Sequence, residues 1–300
     1  MTPDSGTPEF DGDALATVAR LRSRFRGALL GLALGEALAA PAQLSRPGSF
    51  APVRDLLGGG PYDLAPGAWA DDTAMSLSVA RSLLAQQACD PADQRDRFRR
   101  WQRDGEGSVS GECLGITASV SRALVEGAPV EDIRDGADAL VRVAPLAMWH
   151  YADESALRAD IEPMARVTSH EAATFVAVED FALMVQRALR GAPLADLCRD
   201  AAKAPKRAAS RHGAEAARAL AIVKESIHGA TSWKDAVLRA INVGGDADVF
   251  GAATGQLAGA SLGVESIPAS WLARLADRVA IEELADALLA DVLVRLESAS

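Results

Sequence analysis

The sequence of 300 residues is poor in several features on which other protein classes depend. Aromatic residues make up only 5% of it, and no segment alternates apolar and polar residues as a half-buried β-strand does. The three cysteines, Cys89, Cys113 and Cys198, are widely spaced and lack a C-x-x-C pair, which argues against a disulfide framework and a thiolate zinc site. Apolar runs such as residues 28–34 are much shorter than the roughly 20 residues of a membrane helix. We therefore expect a soluble, helical protein with no membrane partner.

Positive charge is also scarce. The chain has 31 Lys and Arg against 41 Asp and Glu, a formal net charge of −10 and a pI near 5.0. Because proteins that coat nucleic-acid phosphates carry a basic surface, we expect no nucleic-acid partner. Residues 203–212 reverse the charge locally; they indicate either a solvated helix face or a surface for an acidic protein or a pyrophosphate. Residues 1–13 lack the basic start and apolar stretch of a secretory signal, so we expect a cytoplasmic location.

What the chain does have is helical periodicity. Apolar residues recur at three- and four-residue spacing, as in Met75, Val79 and Leu83, and Gly and Pro separate such segments. This pattern predicts an all-α fold of about ten or more helices, with a flexible N-terminal segment over residues 1–20 and one domain over residues 21–298. The last amphipathic stretch is too short to predict a coiled coil, so we expect a monomer or a weak dimer.

The first motif with chemical content is the pair Asp71 and Asp72, which precedes an apolar-periodic run. Carboxylates at a helix N-terminus are stabilised by the helix dipole, so the pair fits a helix cap. It also fits a cation site, since both carboxylates could bind one ion. A long Gly- and Pro-rich loop over residues 43–69 lies directly before it, and long ordered loops are often functional.

The second motif is Gly244-Gly245-Asp246-Ala247-Asp248. Two glycines allow a tight turn, and carboxylates two residues apart on that turn can bind one hard cation. Four aspartates in two such motifs repel one another unless a cation or sugar hydroxyls compensate their charge. Glycines recur every four residues in the segment that follows, which favours close packing of another helix on that face; they are Gly251, Gly255, Gly259 and Gly263.

These motifs resemble those of the ADP-ribosylglycohydrolase family. The resemblance rests on residues 26–38 (RGALLGLALGEAL), residues 69–75 (WADDTAM) and residues 244–248 (GGDAD). Weaker similarities are residues 142–145, 168–170 and 267–272, and all six occur in family order over nearly the whole chain.

The resemblance implies an all-α domain of orthogonally packed helices with one or two Mg²⁺ or Mn²⁺ ions in a central cleft. The ions hold the ribose hydroxyls of an ADP-ribosyl group while water replaces the modified side chain at the anomeric carbon. Asp71, Asp72, Asp246 and Asp248 match the metal-ligand aspartates of the family. Asp246 and Asp72 are the predicted catalytic residues, with Asp246 orienting the water.

Six further residues are predicted to contact the substrate: Glu36, Gln43, Trp69, His170, Gly244 and Gly245. Several have an alternative structural interpretation. Glu36 fits either an acid or a helix-lining residue, Trp69 either a stacking platform or a core residue, and His170 either a ligand contact or a loop residue.

The chain also departs from the family pattern. Ala70 and Val249 stand where relatives carry hydroxyl ligands, and Gln43 stands where many carry a carboxylate. A Cys-Phe-Asp-Ile-Gly pattern reads here as residues 113–117 (CLGIT), without the acid, and a Gly-Asn-Gly-Ser segment reads as residues 136–139 (GADA).

Three functions follow. The first is a metal-dependent hydrolase that removes N- or O-linked ADP-ribose from a modified protein or small molecule. The second is a catalytically impaired member that binds ADP-ribose or a partner, which the departures favour. The third is a hydrolase of another ribosyl compound. Retention of all four aspartates favours hydrolysis.

Overall fold

The computed structural model describes residues 12–198 and 214–298. These ranges form fourteen α-helices. They are α1 (Gly12–Ala39), α2 (Asp71–Gln86), α3 (Pro91–Asp104), α4 (Ala118–Glu126), α5 (Asp138–Val141), α6 (Ala144–Trp149), α7 (Glu154–Ala165), α8 (Ala172–Leu189), α9 (Leu194–Leu197), α10 (Ala214–Ile227), α11 (Trp233–Ile241), α12 (Ala247–Leu262), α13 (Ala269–Leu272) and α14 (Arg278–Ser298). Within the described part of the chain the β pairing is limited to two isolated bridges, Gln43 with Gly245 and Gly59 with Leu64. The predicted all-α fold is confirmed.

Helices α1 and α12 pack along their length at the centre of the fold. Three glycine pairs form the contact: Gly27 with Gly259, Gly31 with Gly255, and Gly35 with Gly251. A Cβ built on any of the six would overlap the carbonyl oxygen of the facing glycine. The two backbones therefore touch directly, which explains the four-residue glycine spacing seen in the sequence.

This close contact positions both acidic motifs. Glu36 follows Gly35 on α1, and Asp248 lies three residues before Gly251 on α12. Helix α2, which begins with the first aspartate pair, packs against both α1 and α12. The ends of three helices thus meet in one region of the fold.

Helix α1 begins at Gly12, within the N-terminal segment 1–20 that was predicted to be flexible. Residues 12–20 are helical, because the helical pattern extends beyond the apolar part of the segment. Among the described helices, Leu15–Ala42 is long and apolar enough to cross a membrane by length and composition. In its apolar window 89% of the residues are buried inside the fold, as in a core helix. The basic stretch 203–212 lies outside the described residues.

Gly255→Ala tests the backbone contact between α1 and α12. Helix propensity alone would make this substitution stabilising by about 1 kcal/mol. We expect the opposite, a loss of about 1–3 kcal/mol or more in the free energy of unfolding, because the added methyl group meets the carbonyl of Gly31 and neither backbone can retreat. Urea denaturation measures the difference, and a more stable variant would contradict the close packing.

Candidate active site

Helix α2 begins without a capping side chain of its own, because the residue before it is Ala70. The carboxylate of Glu36, on α1, takes that role. Its Oε1 accepts from the N–H groups of Ala70 at 3.0 Å and Asp72 at 3.2 Å, and its Oε2 accepts from the N–H of Thr73 at 3.0 Å and from the Thr73 hydroxyl. Since these N–H groups have no partner within their own helix, Glu36 fixes the position of the aspartates that begin α2.

Those two aspartates are deeply buried. Asp71 is 4% exposed and Asp72 is 2% exposed. The Oδ1 of Asp71 and the Oδ2 of Asp72 have no hydrogen-bond partner. Burial, reinforced by neighbouring carboxylates, raises the pKa of both side chains well above its ordinary value. Unpartnered buried carboxylate oxygens are costly unless a proton or a cation binds them.

The second acidic motif is held by a glycine turn. Gly244 and Gly245 adopt φ angles of 77° and 67°, in the left-handed region that glycine tolerates. The turn pairs with the chain that follows α1: the N–H of Leu44 donates to the carbonyl of Gly245 at 2.7 Å, and the N–H of Gly245 donates to the carbonyl of Ser45 at 2.8 Å. The two glycines thus fix the start of α12 against this chain segment.

The two carboxylates of this motif have different surroundings. Asp248 accepts a hydrogen bond from the Nε2 of Gln43. Burial and the nearby carboxylate of Glu36 raise the pKa of Asp248 to about 7. Asp246 is more open, with 42% of its side chain exposed, and its Oδ2 lies 3.9 Å from the Nη1 of Arg218 on α10.

A cleft of about 600 Å³ opens where α2, α5, α10 and α12 meet. Six carboxylates are among its lining residues: Asp71, Asp135, Asp138, Glu215, Asp246 and Asp248. Of the described residues that line it, Arg134 and Arg218 carry positive charge. The excess of negative charge suits a cationic ligand or leaving group.

One wall of this cleft is formed by α5 and the residues just before α4. The hydroxyl of Thr117 lies 3.1 Å and 3.3 Å from the two carboxylate oxygens of Asp138. Behind this wall the fully buried Arg142 donates to the Thr168 hydroxyl at 2.8 Å and to the Met164 carbonyl at 3.2 Å. Burial lowers the pKa of Arg142 to about 10, although the nearby carboxylate of Asp138 opposes that shift.

Asp135 on the same wall has a structural role. Its carboxylate accepts from the N–H groups of His170 at 3.0 Å and Glu171 at 2.8 Å, just before α8 begins. The Nδ1 of His170 lies 2.9 Å from Asp135 Oδ1. Asp135 thus caps α8, and His170 packs against this cap.

The structure brings four of the predicted site residues into the cleft lining: Gln43, Asp71, Asp246 and Asp248. Asp72 does not line the cleft and is buried directly after Asp71. Consecutive helical residues differ in direction by about 100°, so the two side chains leave α2 in different directions, and that of Asp71 lines the cleft. The buried Asp72 remains next to the site.

Five predicted substrate contacts also lie outside the cleft lining: Glu36, Trp69, His170, Gly244 and Gly245. Trp69 is 2% exposed, and its indole N–H donates to the carbonyl of Ala276 at 3.1 Å. Trp69 is a core residue, Glu36 is a helix cap, and the glycines shape the turn. These residues support the site through structure, and their predicted contacts with the substrate stay predictions.

Three site residues escaped the sequence prediction. Tyr62 lines the cleft, and burial together with the charges of Asp71 and Asp248 raises its pKa. It belongs to the long loop already predicted to be functional, so its aromatic ring was a usable signal. Asp138 lies in residues 136–139, where the sequence shows only a departure from the family pattern. Nothing in the sequence indicates that the Arg142 side chain is buried.

The donor set fits a hard divalent cation by its chemistry. The carboxylates are oxygen ligands, and Asp71 and Asp72 each carry a buried oxygen without a partner. No group of three or more His, Cys, Asp or Glu side chains converges as a ready-made cation site within residues 12–198 and 214–298. Magnesium keeps several waters and needs only one or two carboxylates, so a few of these aspartates suffice.

Glu36→Gln tests the cap on α2. Glutamine keeps one acceptor oxygen and turns an NH₂ group toward the buried donors, so we expect a loss of about 2–4 kcal/mol in the free energy of unfolding. Thr73→Val is the matched control: it removes one donor and leaves three N–H groups bound to Glu36, so it should cost about 1 kcal/mol. Equal stability of Glu36→Gln and the wild type in urea would mean that charge repulsion outweighs the cap.

This chain is similar to known proteins in both sequence and fold. The family model for ADP-ribosylglycohydrolase matches residues 17–297. The chain is 30% identical to ADP-ribosylarginine hydrolase Tri1 of Serratia proteamaculans (strain 568), across 88% of this chain and 78% of that protein. It is 31% identical to the ADP-ribosyl-[dinitrogen reductase] glycohydrolase of Rhodospirillum rubrum, across 90% of this chain and 97% of that protein.

A solved structure described as an ADP-ribosylglycohydrolase-related protein complex matches with a TM-score of 0.77 and 33% identity. The match covers 91% of this chain and 99% of that one. The relatives named above are hydrolases, as the resemblance of the motifs predicted. By sequence and by fold, this chain belongs to the ADP-ribosylglycohydrolase family.

Proposed function

We propose that this protein is a divalent-cation-dependent hydrolase that removes ADP-ribose from arginine side chains of modified proteins. The observation that carries the proposal is the acidic cleft, with six carboxylates and two arginines among its described lining residues. A guanidinium leaving group is cationic, so this charge balance favours it over a neutral hydroxyl leaving group. One relative is named an ADP-ribosylarginine hydrolase, which supports the same substrate class.

Asp71, Asp72, Asp246 and Asp248 are the residues that would hold Mg²⁺ or Mn²⁺. The bound ion would supply Lewis-acid positioning of the ribose hydroxyls and charge compensation for the carboxylates. The positions of these aspartates depend on two contacts within the chain: Glu36 holds the start of α2, and the glycine turn holds the start of α12. Ala70 and Val249 offer no hydroxyl, so water would complete the coordination.

The loss of those hydroxyls also favours a second candidate, a cleft that binds ADP-ribose without turnover. Gln43, which donates an amide hydrogen bond to Asp248, adds to this case because an amide is neither a base nor a strong ligand. Both candidates predict binding, so only turnover separates them.

Release of ADP-ribose, measured by chromatography, tests the proposal on an arginine-linked and a serine-linked substrate. We expect cation-dependent turnover of the arginine-linked substrate, and a fall of about 100-fold or more in kcat/KM for Asp248→Asn. The control is Asp63→Asn, an exposed aspartate outside the cleft lining, which should retain full activity. Binding of ADP-ribose without turnover of either substrate would instead support the binding-module candidate.

Protons and the cation should compete for the same carboxylates. A carboxyl whose pKa is higher in the folded chain binds its proton more tightly there, so protonation stabilises the fold. Because the pKa of Asp248 is raised to about 7, its contribution to stability in chelator should be lost as the pH rises from about 4 through about 7.

Thermal melts over this range provide the measurement. We expect the wild-type Tm in chelator to fall with rising pH relative to that of Asp248→Asn, and saturating Mg²⁺ to reduce the difference. Parallel pH profiles for the two proteins in chelator would contradict the raised pKa, and an unchanged profile on adding Mg²⁺ or Mn²⁺ would contradict cation binding.

A further inference from the structure

Two of the departures from the family pattern contact each other in the cleft wall. Thr117 ends the segment that lacks the family's acid, and Asp138 lies in the segment that replaces Gly-Asn-Gly-Ser. The Thr117 hydroxyl lies 3.1 Å from Asp138 Oδ1 and 3.3 Å from Oδ2. Residues 113–117 thus lack the acid of the family pattern, whereas residues 136–139 contain an acid, Asp138, that the pattern lacks. The hydroxyl of Thr117 positions the carboxylate of Asp138.

The backbone geometry explains why the acid does not come from position 115. Gly115 has a φ of 87°, which disfavours any other residue, and a Cβ there would overlap the carboxylate of Asp71. The loop therefore packs its bare backbone against Asp71. Position 115 therefore has no room for an acidic side chain, and an acid that lines this side of the cleft is Asp138.

Asp138 differs from the other acids of the cleft because it does not cap α8 and does not belong to the proposed cation site; its contacts are the Thr117 hydroxyl and the nearby charge of Arg142. Asp135 is committed to capping α8, and Asp71 and Asp248 belong to the proposed cation site. Asp246 has 42% of its side chain exposed and faces Arg218, so its carboxylate is hydrated and close to a positive charge.

Glu215 is the remaining acid. It lies in the first turn of α10 and is only partly buried, whereas Asp138 is 5% exposed. A buried carboxylate that still lines the cleft is poorly hydrated and therefore a stronger base than an open one.

The surroundings of Asp138 also keep it in one geometry. Gly136 leaves room for its carboxylate, since a Cβ at that position would overlap Asp138 Oδ2. Burial raises the pKa of Asp138, while the positive charge of the buried Arg142 and the Thr117 hydroxyl oppose that rise. The carboxylate is thus oriented, nearly dry and backed by a fixed positive charge.

We propose that Asp138 is the catalytic base that takes the proton from the attacking water, in place of the predicted Asp246. The water oxygen bonds to the anomeric carbon as the glycosidic bond breaks, and that bond's electron pair leaves with the guanidine nitrogen. One water proton goes to the Asp138 carboxylate, and the leaving nitrogen takes up one proton, from that carboxyl or from solvent. This inference rests on the proposed hydrolase function.

Steady-state kinetics of the full chain, loaded with Mg²⁺ or Mn²⁺, test the assignment. Asp138→Asn keeps the shape of the side chain, and we expect its kcat to fall about 100-fold or more with KM changed less than about threefold. Asp138→Ala leaves space for a small carboxylate, so added formate should raise its kcat and leave the wild type unaffected. Formate rescue is a readout that a purely structural role would not produce.

The matched control is Asp132→Ala, because Asp132 is exposed, lies six residues earlier in the same segment and does not line the cleft. It should keep its kcat and show no response to formate. Circular dichroism melts check folding, and if Asp138→Ala does not fold, the kcat and KM of Asp138→Asn carry the test.

If the kcat of Asp138→Asn stays within about threefold of the wild-type value, the assignment of Asp138 as the base is overturned, whereas the proposed hydrolase function is not. Loss of activity in Asp138→Ala without formate rescue, in a protein that still folds, would overturn it as well. A wild-type protein that turns over neither arginine- nor serine-linked substrate would instead overturn the proposed function, and this inference with it.

Discussion

The direct backbone contact between α1 and α12 is the constraint on which the site depends. Gly35 contacts Gly251 without intervening side chains. Glu36, which follows Gly35, therefore lies close to Asp246 and Asp248, which precede Gly251. Glu36 then captures the N-terminus of α2 through three N–H groups and a hydroxyl. A wider separation of the two helices would move Glu36 away from the residues it holds and separate the two acidic motifs.

Much of this arrangement could be predicted from the sequence because it depends on local pattern. Helical periodicity predicted the fold, the glycine spacing predicted a close helix contact, and the two acidic motifs predicted a shared site. The roles of individual side chains were harder to predict. Asp71 and Asp72 look alike in sequence, yet one lines the cleft and the other is buried beside it, because helical rotation separates them.

Residues that depend on distant partners could not be predicted. Nothing near Ala70 in the sequence indicates that Glu36, thirty-four residues earlier, supplies the missing cap. Asp138 is equally cryptic, since its significance comes from contact with Thr117 and from the buried Arg142 behind it. The sequence left two interpretations of Trp69 open, a stacking platform or a core residue; the buried indole, which donates to the carbonyl of Ala276, fits the core residue.

The contact between Gly31 and Gly255 has a consequence for how this protein can evolve. A clash between two side chains can be relieved by a second substitution that shortens the partner. Here the partner is a main-chain carbonyl, and both positions already hold the smallest residue, so no second substitution at the facing position can compensate. We therefore expect both glycines of each pair to be retained, with no covariation between them, in descendants of this sequence.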